Sequence, residues 1–489
     1  VKRLGLILSC LVLAASLRAG NVPANPLELT RTISHGDMET FLRQVARPGL
    51  ITVTEEGRSH GGRAIYLVHL NRGGAKAHFR VLFYAQQHGN EVSGKDAQLC
   101  LIKAIADRPE LLPEDVDLYL MPMMNPDGAE AVRRTNGVQA DLNRDHILLV
   151  QPETQALHRV ARRILPHLAV DSHEFTRDGK DWDARGWDCW PLITMDGLNA
   201  PWIPEALKEQ ALVRVEGARR VMEEAGYPYT RYTVGGLPPL EEIRPSTTEM
   251  DDGRNSIGCM GALSFIIECG VRRGPDAPGD LGVRADAYTR LYRYLLGDPA
   301  SRARIEALSE AARKAPLPPF TATNFFWANL DGQVRTVKVV DRATRRVLEI
   351  PTPSLMTDLV VKASVATPSA YVVDASSAAP FRALLDRHGF TYRVCAGPET
   401  FKAERCRLLR VEESYDDLYG RYEHRQIVAR DAAADREFPA GSLVVPLSQP
   451  LGRCVLGVLE PCLLYGLYSY KEFSALARPD GTLPVWRLP

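Results

Sequence analysis

The sequence predicts an α/β protein built on a mixed, largely parallel sheet flanked by helices, followed by a smaller strand-rich α+β unit. Three observations carry this expectation. Between about residues 64 and 270, apolar β-branched runs alternate with helical patterns, as in a chain that returns through helices to lay down parallel strands. Helical spacing over Ala285–Leu296 and Ser301–Lys314 then stops at Ala315-Pro316-Leu317-Pro318-Pro319, which cannot continue a helix. Beyond that segment the apolar runs are short and strand-like.

Within the first unit the expected strands are Ala64–Leu70, Arg80–Ala85, Val116–Met121, Leu168–Asp171 and Leu263–Ile267. Val92–Ala106 and Thr154–Ile164 carry apolar residues at three- and four-residue spacing, which predicts amphipathic helices packed on that sheet. In the second unit Val334–Val340, Val347–Ile350, Ala370–Val373, Tyr392–Val394, Gln426–Ala429 and Ser442–Val445 read as strands, and Phe381–His388 as a helix. No internal repeat or low-complexity tract interrupts either unit. The second has no cluster of candidate ligands or nucleophiles, so it is expected to support the first or shape its substrate rather than act as a second enzyme.

A length of 489 residues with 45% hydrophobic content suits one large core and a smaller one. Lysine plus arginine equals aspartate plus glutamate at 60 each, so no overall field draws the chain to nucleic acid or an anionic membrane. Lys2 and Arg3 precede an apolar run from Leu4 to Leu17 and small residues at Ala19 and Gly20, the pattern of a signal peptide over residues 1–19. That run is shorter than the ~20 residues of a membrane span, and no later segment replaces it. Leu8-Ser9-Cys10 resembles part of a lipobox, but it lies close behind the basic pair, and cleavage near Ala19 is the expectation. The mature chain is thus expected to be periplasmic or secreted, with units at 20–314 and 320–489.

The eight cysteines after the leader contain no C-x-x-C pair, which argues against a thiolate zinc site. Cys395 with Cys406, and Cys454 with Cys462, are near enough in sequence to bridge, although free buried thiols are the commoner case in a large domain.

Chemistry concentrates at three strand ends. Phe83-Tyr84-Ala85-Gln86-Gln87-His88-Gly89-Asn90-Glu91 runs from a strand into a glycine-containing loop and then a helix, with His88 and Glu91 spaced to chelate one ion. A histidine and a glutamate three apart are common by chance, so the pair is weak alone. Catalytic zinc takes three protein ligands, and a second apolar strand, Leu168-Ala169-Val170-Asp171, leads to His173. A third, Leu263-Ser264-Phe265-Ile266-Ile267, leads to Glu268, a candidate general base for the attacking water. A carboxylate leaving a buried strand is costly unless used or paired. The bland alternative is an ion pair with Arg272 or Arg273.

In order and kind these elements resemble the zinc carboxypeptidase (M14-type metallopeptidase) family, over roughly residues 30 to 300. The resemblance implies a carboxypeptidase-like fold, an exported bacterial member, one zinc per chain on His88, Glu91 and His173, and Glu268 as base. It also rests on Asn125-Pro126-Asp127-Gly128 and on Asp141-Leu142-Asn143-Arg144. By the same resemblance Arg133 assists the oxyanion, with Arg134 in reserve, Asn143 and Arg144 bind the substrate carboxylate, and Asp141 orients the ring of His88. Physical reasons agree: guanidinium groups grip carboxylates with paired hydrogen bonds, and a carboxylate behind a ligand histidine fixes its tautomer.

The family's digestive members carry a tyrosine several residues before the base, yet none lies between Thr233 and Glu268. Tyr227, Tyr229 and Tyr232 precede that gap, and the choice among them stays open. Trp182, Trp187 and Trp190 either wall a subsite or pack a long loop, the commoner case. Glu174 is expected to point away from the metal. His35, His60, His78, His146, His158, His167, His388 and His424 lack a strand-end context, and His69 lacks a nearby carboxylate, so all nine are read as structural or solvent-facing. The expected activity is hydrolysis of an amide bond next to a free carboxylate in a peptide. The rivals are a zinc deacylase of N-acyl amino acids and a non-catalytic peptide-binding protein.

Overall fold

The computed structural model describes residues 26–176, 180–271, 280–416 and 421–489. The leader and Cys10, Arg272 and Arg273, and the side chain of His424 lie outside what is described. No helix among the described residues is long and apolar enough to cross a membrane.

Among the described residues, eleven strands precede the proline-rich segment: β1 Ile51–Arg58, β2 Ala64–Asn71, β3 Phe79–Ala85, β4 Val116–Met121, β5 Leu168–Phe175, β6 Trp187–Cys189, β7 Ile193–Gly197, β8 Tyr229–Arg231, β9 Thr233–Gly235, β10 Ile243–Pro245 and β11 Leu263–Gly270. Eight of them form one sheet in the order β1-β2-β4-β3-β5-β11-β7-β8. Its centre, β4, β3, β5 and β11, is parallel. β2 joins β4, and β7 joins β11, antiparallel. The mixed, largely parallel sheet expected from the sequence is the one observed.

The central strands are buried on both faces, which is why β3 and β11 read as almost unbroken apolar runs. The helix Ser93–Asp107 packs against the helix Leu281–Leu296, and Tyr292 of the latter stacks on Phe83 with ring centres 4.6 Å apart. The helix Glu205–Glu224 was not anticipated, because charged residues and Gly217 blur its apolar stripe. Gly217 has a packing reason: a Cβ there would meet the Tyr294 hydroxyl at 2.2 Å.

Two strands are longer than the apolar runs suggested. β5 continues through Asp171 to Phe175, and β11 through Ile267 to Gly270, so His173 and Glu268 lie inside strands rather than just beyond them. The parallel register sets Glu268 directly opposite His173.

After the helix Pro299–Lys314 the chain enters short antiparallel sheets. The largest has four strands, in the order Arg393–Val394, Leu443–Pro446, Ala370–Val373 and Val485–Leu488. The main hydrophobic core runs across the proline segment, from Phe83 and Phe265 to Phe381, Leu384 and Val455. The later residues also clasp the loop after Asp141. Tyr470 Oη donates to the Arg144 carbonyl at 3.2 Å, His388 Nε2 to that of Ile147 at 2.7 Å, and Arg387 Nε to that of Leu148 at 3.1 Å. All eight described cysteines are free thiols, so neither sequence-adjacent pair is bridged.

His388 makes a testable contribution to stability. Burial pushes its pKa down from 6.5 to about 3; the bond to Ile147 opposes this, while Arg162, Arg387 and His146 add to it. His158 meets the ring edge-on. Between pH 6.5 and pH 3 the unfolded chain therefore binds a proton that the folded chain refuses, so stability falls as pH drops through that window. His388→Phe should cost about 1 kcal/mol at pH 7 through the lost hydrogen bond. At pH 4 the protonation penalty it removes, roughly 3 kcal/mol, should outweigh that loss and leave the variant about 2 kcal/mol more stable than wild type. Denaturant melts should show the two stabilities crossing; parallel pH profiles would contradict this origin.

Candidate active site

The site is assembled where β3, β5 and β11 deliver their C-terminal ends, the edge at which loops converge in an α/β sheet. After Ala85 the chain turns through Gln86, which takes a left-handed φ of 59°, and its amide donates to the Gly89 carbonyl at 2.7 Å. Asn125 pins this loop from the side. Its Nδ2 donates to the Gln87 carbonyl at 3.0 Å, while its Oδ1 accepts from Gly128 N at 2.8 Å and caps the short helix Pro126–Glu130. Gly89 is required by the approach of these two loops, since a Cβ would lie 2.0 Å from the Gly128 carbonyl carbon. The Asn-Pro-Asp-Gly turn thus acts by holding the His88 loop.

His88, Glu91 and His173 each present one donor atom, all within 4.8 Å of one another. His88 Nδ1 lies 2.8 Å from Glu91 Oε1 and 3.1 Å from His173 Nδ1, and His173 Nδ1 lies 2.8 Å from Glu91 Oε2. Two imidazole nitrogens and a carboxylate are a donor set that suits zinc. All three residues are between 1% and 7% exposed. Burial opposes ionisation of Glu91, but His88 and His173 on either side hold its carboxyl far below the usual range. Burial likewise opposes charging His173, and Asp171 and Glu91 overcome it, raising its pKa well above that of a free imidazole.

Behind this donor set, Asp141 Oδ1 faces His88 Nε2 at 3.1 Å. Burial resists its ionisation too, but His88 and Arg134 keep the carboxyl well below its ordinary value. Asp171 Oδ1 stands 2.9 Å from His173 Nε2 in the equivalent place. Sequence reasoning passed over Asp171, although period-two alternation in β5 puts it on the same face as His173.

Glu268 faces the same cavity, of about 390 Å³, across the β5–β11 register. Burial pushes its pKa up to about 8; His173 and a hydrogen bond from Tyr232 pull against this, and Glu91 and Asp171 reinforce it. Of the three open tyrosines, Tyr232 is the one in the cavity. Tyr227 is bonded to Asp286 and Tyr229 to the Val215 carbonyl.

The arginine expectation needs correction. Arg133 does not line the cavity; its Nη2 donates to the Asn136 carbonyl at 2.6 Å. Arg134 does line it, with Nη1 3.2 Å from His88 Nδ1 and 3.7 Å from Glu91 Oε1, and Nη2 2.9 Å from Asp141 Oδ2. Backbone bonds explain the difference. The Arg134 carbonyl accepts from Gly89 N at 3.2 Å and Asn125 Nδ2 at 3.3 Å, which clamps that residue, and not its neighbour, against the His88 loop.

Asn143 and Arg144 line the same cavity. Asn143 Oδ1 accepts from Gly253 N at 2.8 Å, and its Nδ2 lies 3.3 Å from His173 Nε2. Arg144 Nε is 3.6 Å from Asp251. The opposite wall holds Ser246, Thr247, Asp252 and Arg254. Arg254 Nη2 is 2.9 Å from Asp252 Oδ2, and Nη1 is 3.8 Å from Asp196 Oδ2. No strand-end signal or spacing in the sequence marks these residues.

Glu174 also lines the cavity, yet its carboxylate is spent elsewhere, accepting from Ser93 N at 2.7 Å and Arg284 Nη1 at 2.9 Å. The tryptophans pack: Trp182 clusters with Leu237 and Val339, and Lys338 lies over the ring of Trp190. His69 does have a carboxylate partner, Asp117 at 2.5 Å, because β4 lies beside β2, but it is remote from this cavity.

Known proteins match the same region. Residues 38–177 match the family model described as zinc carboxypeptidase. Carboxypeptidase 2 of Trichophyton tonsurans is 26% identical over 248 residues, 47% of this chain and 46% of that protein. Carboxypeptidase D of Mus musculus is 32% identical over 150 residues, 25% of this chain and 11% of that protein. The chain therefore spans about half the length of the fungal relatives it matches, and less of the others. A solved metallo-carboxypeptidase from Burkholderia cenocepacia aligns with a TM-score of 0.43 at 19% identity, covering 53% of this chain and 68% of that one. The similarity to the zinc carboxypeptidase family is thus carried by residues 38–177, which lie within the α/β fold described above.

Proposed function

We propose that this chain is an exported zinc metallocarboxypeptidase that hydrolyses an amide bond beside a free carboxylate. One observation carries the reading: the converging His88, Glu91 and His173 donors, of which His88 and Glu91 line one cavity, share that cavity with the buried Glu268 carboxyl and the Asn143–Arg144 pair. His88, Glu91 and His173 would hold the zinc. When bound, zinc supplies positive charge that polarises a carbonyl and makes water a stronger acid. Glu268 takes the proton of the attacking water and passes it to the leaving amine.

Arg144, with Asn143 beside it, grips the substrate's terminal carboxylate, which sets the cut one residue from the end. Arg134, already beside the ligand cluster, stabilises negative charge as it develops on the carbonyl oxygen. The unit after the proline segment clasps the Arg144 loop and so holds the carboxylate clamp in place.

The test is a set of peptides with free and amidated C-termini, assayed with and without chelator beside N-acyl amino acids. Chelator-sensitive release of the last residue from the free-carboxylate peptides alone is the expected result. Cleavage confined to N-acyl amino acids would replace the peptidase reading with a deacylase, and zinc binding without any hydrolysis would point to a binding protein.

The two adjacent arginines give a sharper check. Arg134→Ala should lower kcat by about 10²–10³, the usual loss for one oxyanion donor, whereas Arg133→Ala should leave kcat within about twofold because surface-type changes are mild. The reverse ranking would return the role to Arg133.

A further inference from the structure

Gln87, directly before His88, is wholly buried, and each of its polar atoms is committed. Its Nε2 donates to Asp171 Oδ2 at 2.8 Å and to Asn143 Oδ1 at 3.2 Å. With both amide protons used, Oε1 faces His146 Nε2 at 2.9 Å, so that nitrogen carries the proton and donates it. His146 Nδ1 must then accept. Ser256 Oγ, 3.1 Å away, gives its own proton to the Gly253 carbonyl at 3.1 Å. That leaves His158 Nε2, at 2.9 Å, as the donor. The remaining nitrogen of His158, Nδ1, is then bare, consistent with its having no hydrogen-bond partner.

The bonds therefore run one way, from His158 through His146 and Gln87 to Asp171 and Asn143, the two groups beside His173 Nε2. We propose that His146 is a positioning residue of the metal centre: through Gln87 it orients Asp171 and Asn143, and through them the ring of His173. Without the His146 proton, Gln87 Oε1 loses its donor, and only the Nε2 bonds to Asp171 and Asn143 still hold the amide in its present sense. A flipped amide sets its carbonyl oxygen against the Asp171 carboxylate and frees that group to leave His173. A ligand histidine that loses its orienting carboxylate binds metal less tightly.

The idea rests on His88, Glu91 and His173 being the zinc ligands, and the experiment separates the two. Zinc dissociation constants are measured on the full chain by chelator competition, with kcat and KM on a free-carboxylate peptide, for wild type, His146→Phe, His146→Gln, Gln87→Leu and the His146→Phe/Gln87→Leu double variant. His146→Phe should weaken zinc about tenfold, the low end of the ~10–100-fold seen for outer-shell partners, and lower kcat with KM little changed. His146→Gln, which can again donate to Gln87, should recover most of the loss. The double variant should be no worse than the poorer single one.

A folded His146→Phe with wild-type zinc affinity, or losses that multiply in the double variant, would overturn the proposal. If His146→Phe does not fold, Gln87→Leu decides: unchanged zinc affinity there overturns it equally. A histidine that merely fills the core would lower the melting temperature and leave zinc affinity alone. A wild-type chain that binds no zinc would instead defeat the reading of the metal centre.

Discussion

Glu268→Gln should bind one zinc per chain with wild-type affinity and turn over about a thousandfold more slowly, within the ~10²–10⁴ span of general acid–base catalysis. The substitution keeps the shape of the side chain and an oxygen to accept the Tyr232 hydrogen bond, but removes the basic site. Zinc should survive because the three donor atoms that converge belong to His88, Glu91 and His173, and not to Glu268. KM should change little, since Asn143 and Arg144 are untouched. Zinc content by elemental analysis, together with steady-state kinetics, reads all of this. Undiminished turnover would remove Glu268 from the role of base.

His88→Ala should lose both metal and activity. If the ~10–16 kcal/mol of a four-ligand structural zinc site is shared among its ligands, each contributes roughly 3 kcal/mol, so zinc should bind more than a hundredfold more weakly. The same change leaves Asp141 and Glu91 without the imidazole between them, two buried carboxylates with Arg134 beside both and His173 beside Glu91. Excess zinc should not restore turnover, because the remaining pair cannot orient the ion. Asp141→Asn is the graded control: it keeps the ligands, removes the charge behind His88, and should cost about 10–100-fold in zinc affinity. A His88→Ala protein with full zinc would move the metal centre elsewhere.

Much of the fold was legible because its signals are local. β4 and the strand Ala370–Val373 have the bounds that their apolar runs mark, and the helix Ser93–Asp107 differs from expectation by one residue at each end. β1 was not read, because its ITVTEEGR sequence is mostly exposed at a sheet edge and carries little apolar signal. The three donors that converge in space were legible for a similar reason. Buried parallel strands are apolar throughout, so a histidine or glutamate at the end of one stands out.

The choice between Arg133 and Arg134, and among Tyr227, Tyr229 and Tyr232, had no such signal. Neighbouring residues of one type in a loop are equivalent until the bonds of Gly89 and Asn125 decide which of them faces His88 and Glu91. The relay through Gln87 and His146 was hidden further still, since a buried histidine in a loop looks the same whether it fills space or orients a neighbour.

By itself, then, the sequence determined the α/β class, the parallel centre of the sheet and three donors at strand ends, all properties of short stretches of chain. Tertiary structure alone decided that Glu268 lies opposite His173, that Asp171 backs His173, that Arg134 turns in while Arg133 turns out, and that the later residues clasp the Arg144 loop. Those facts depend on strand register and on hydrogen bonds between segments up to 326 residues apart. Such contacts are paid for by the packing of the whole core and leave no trace in local periodicity.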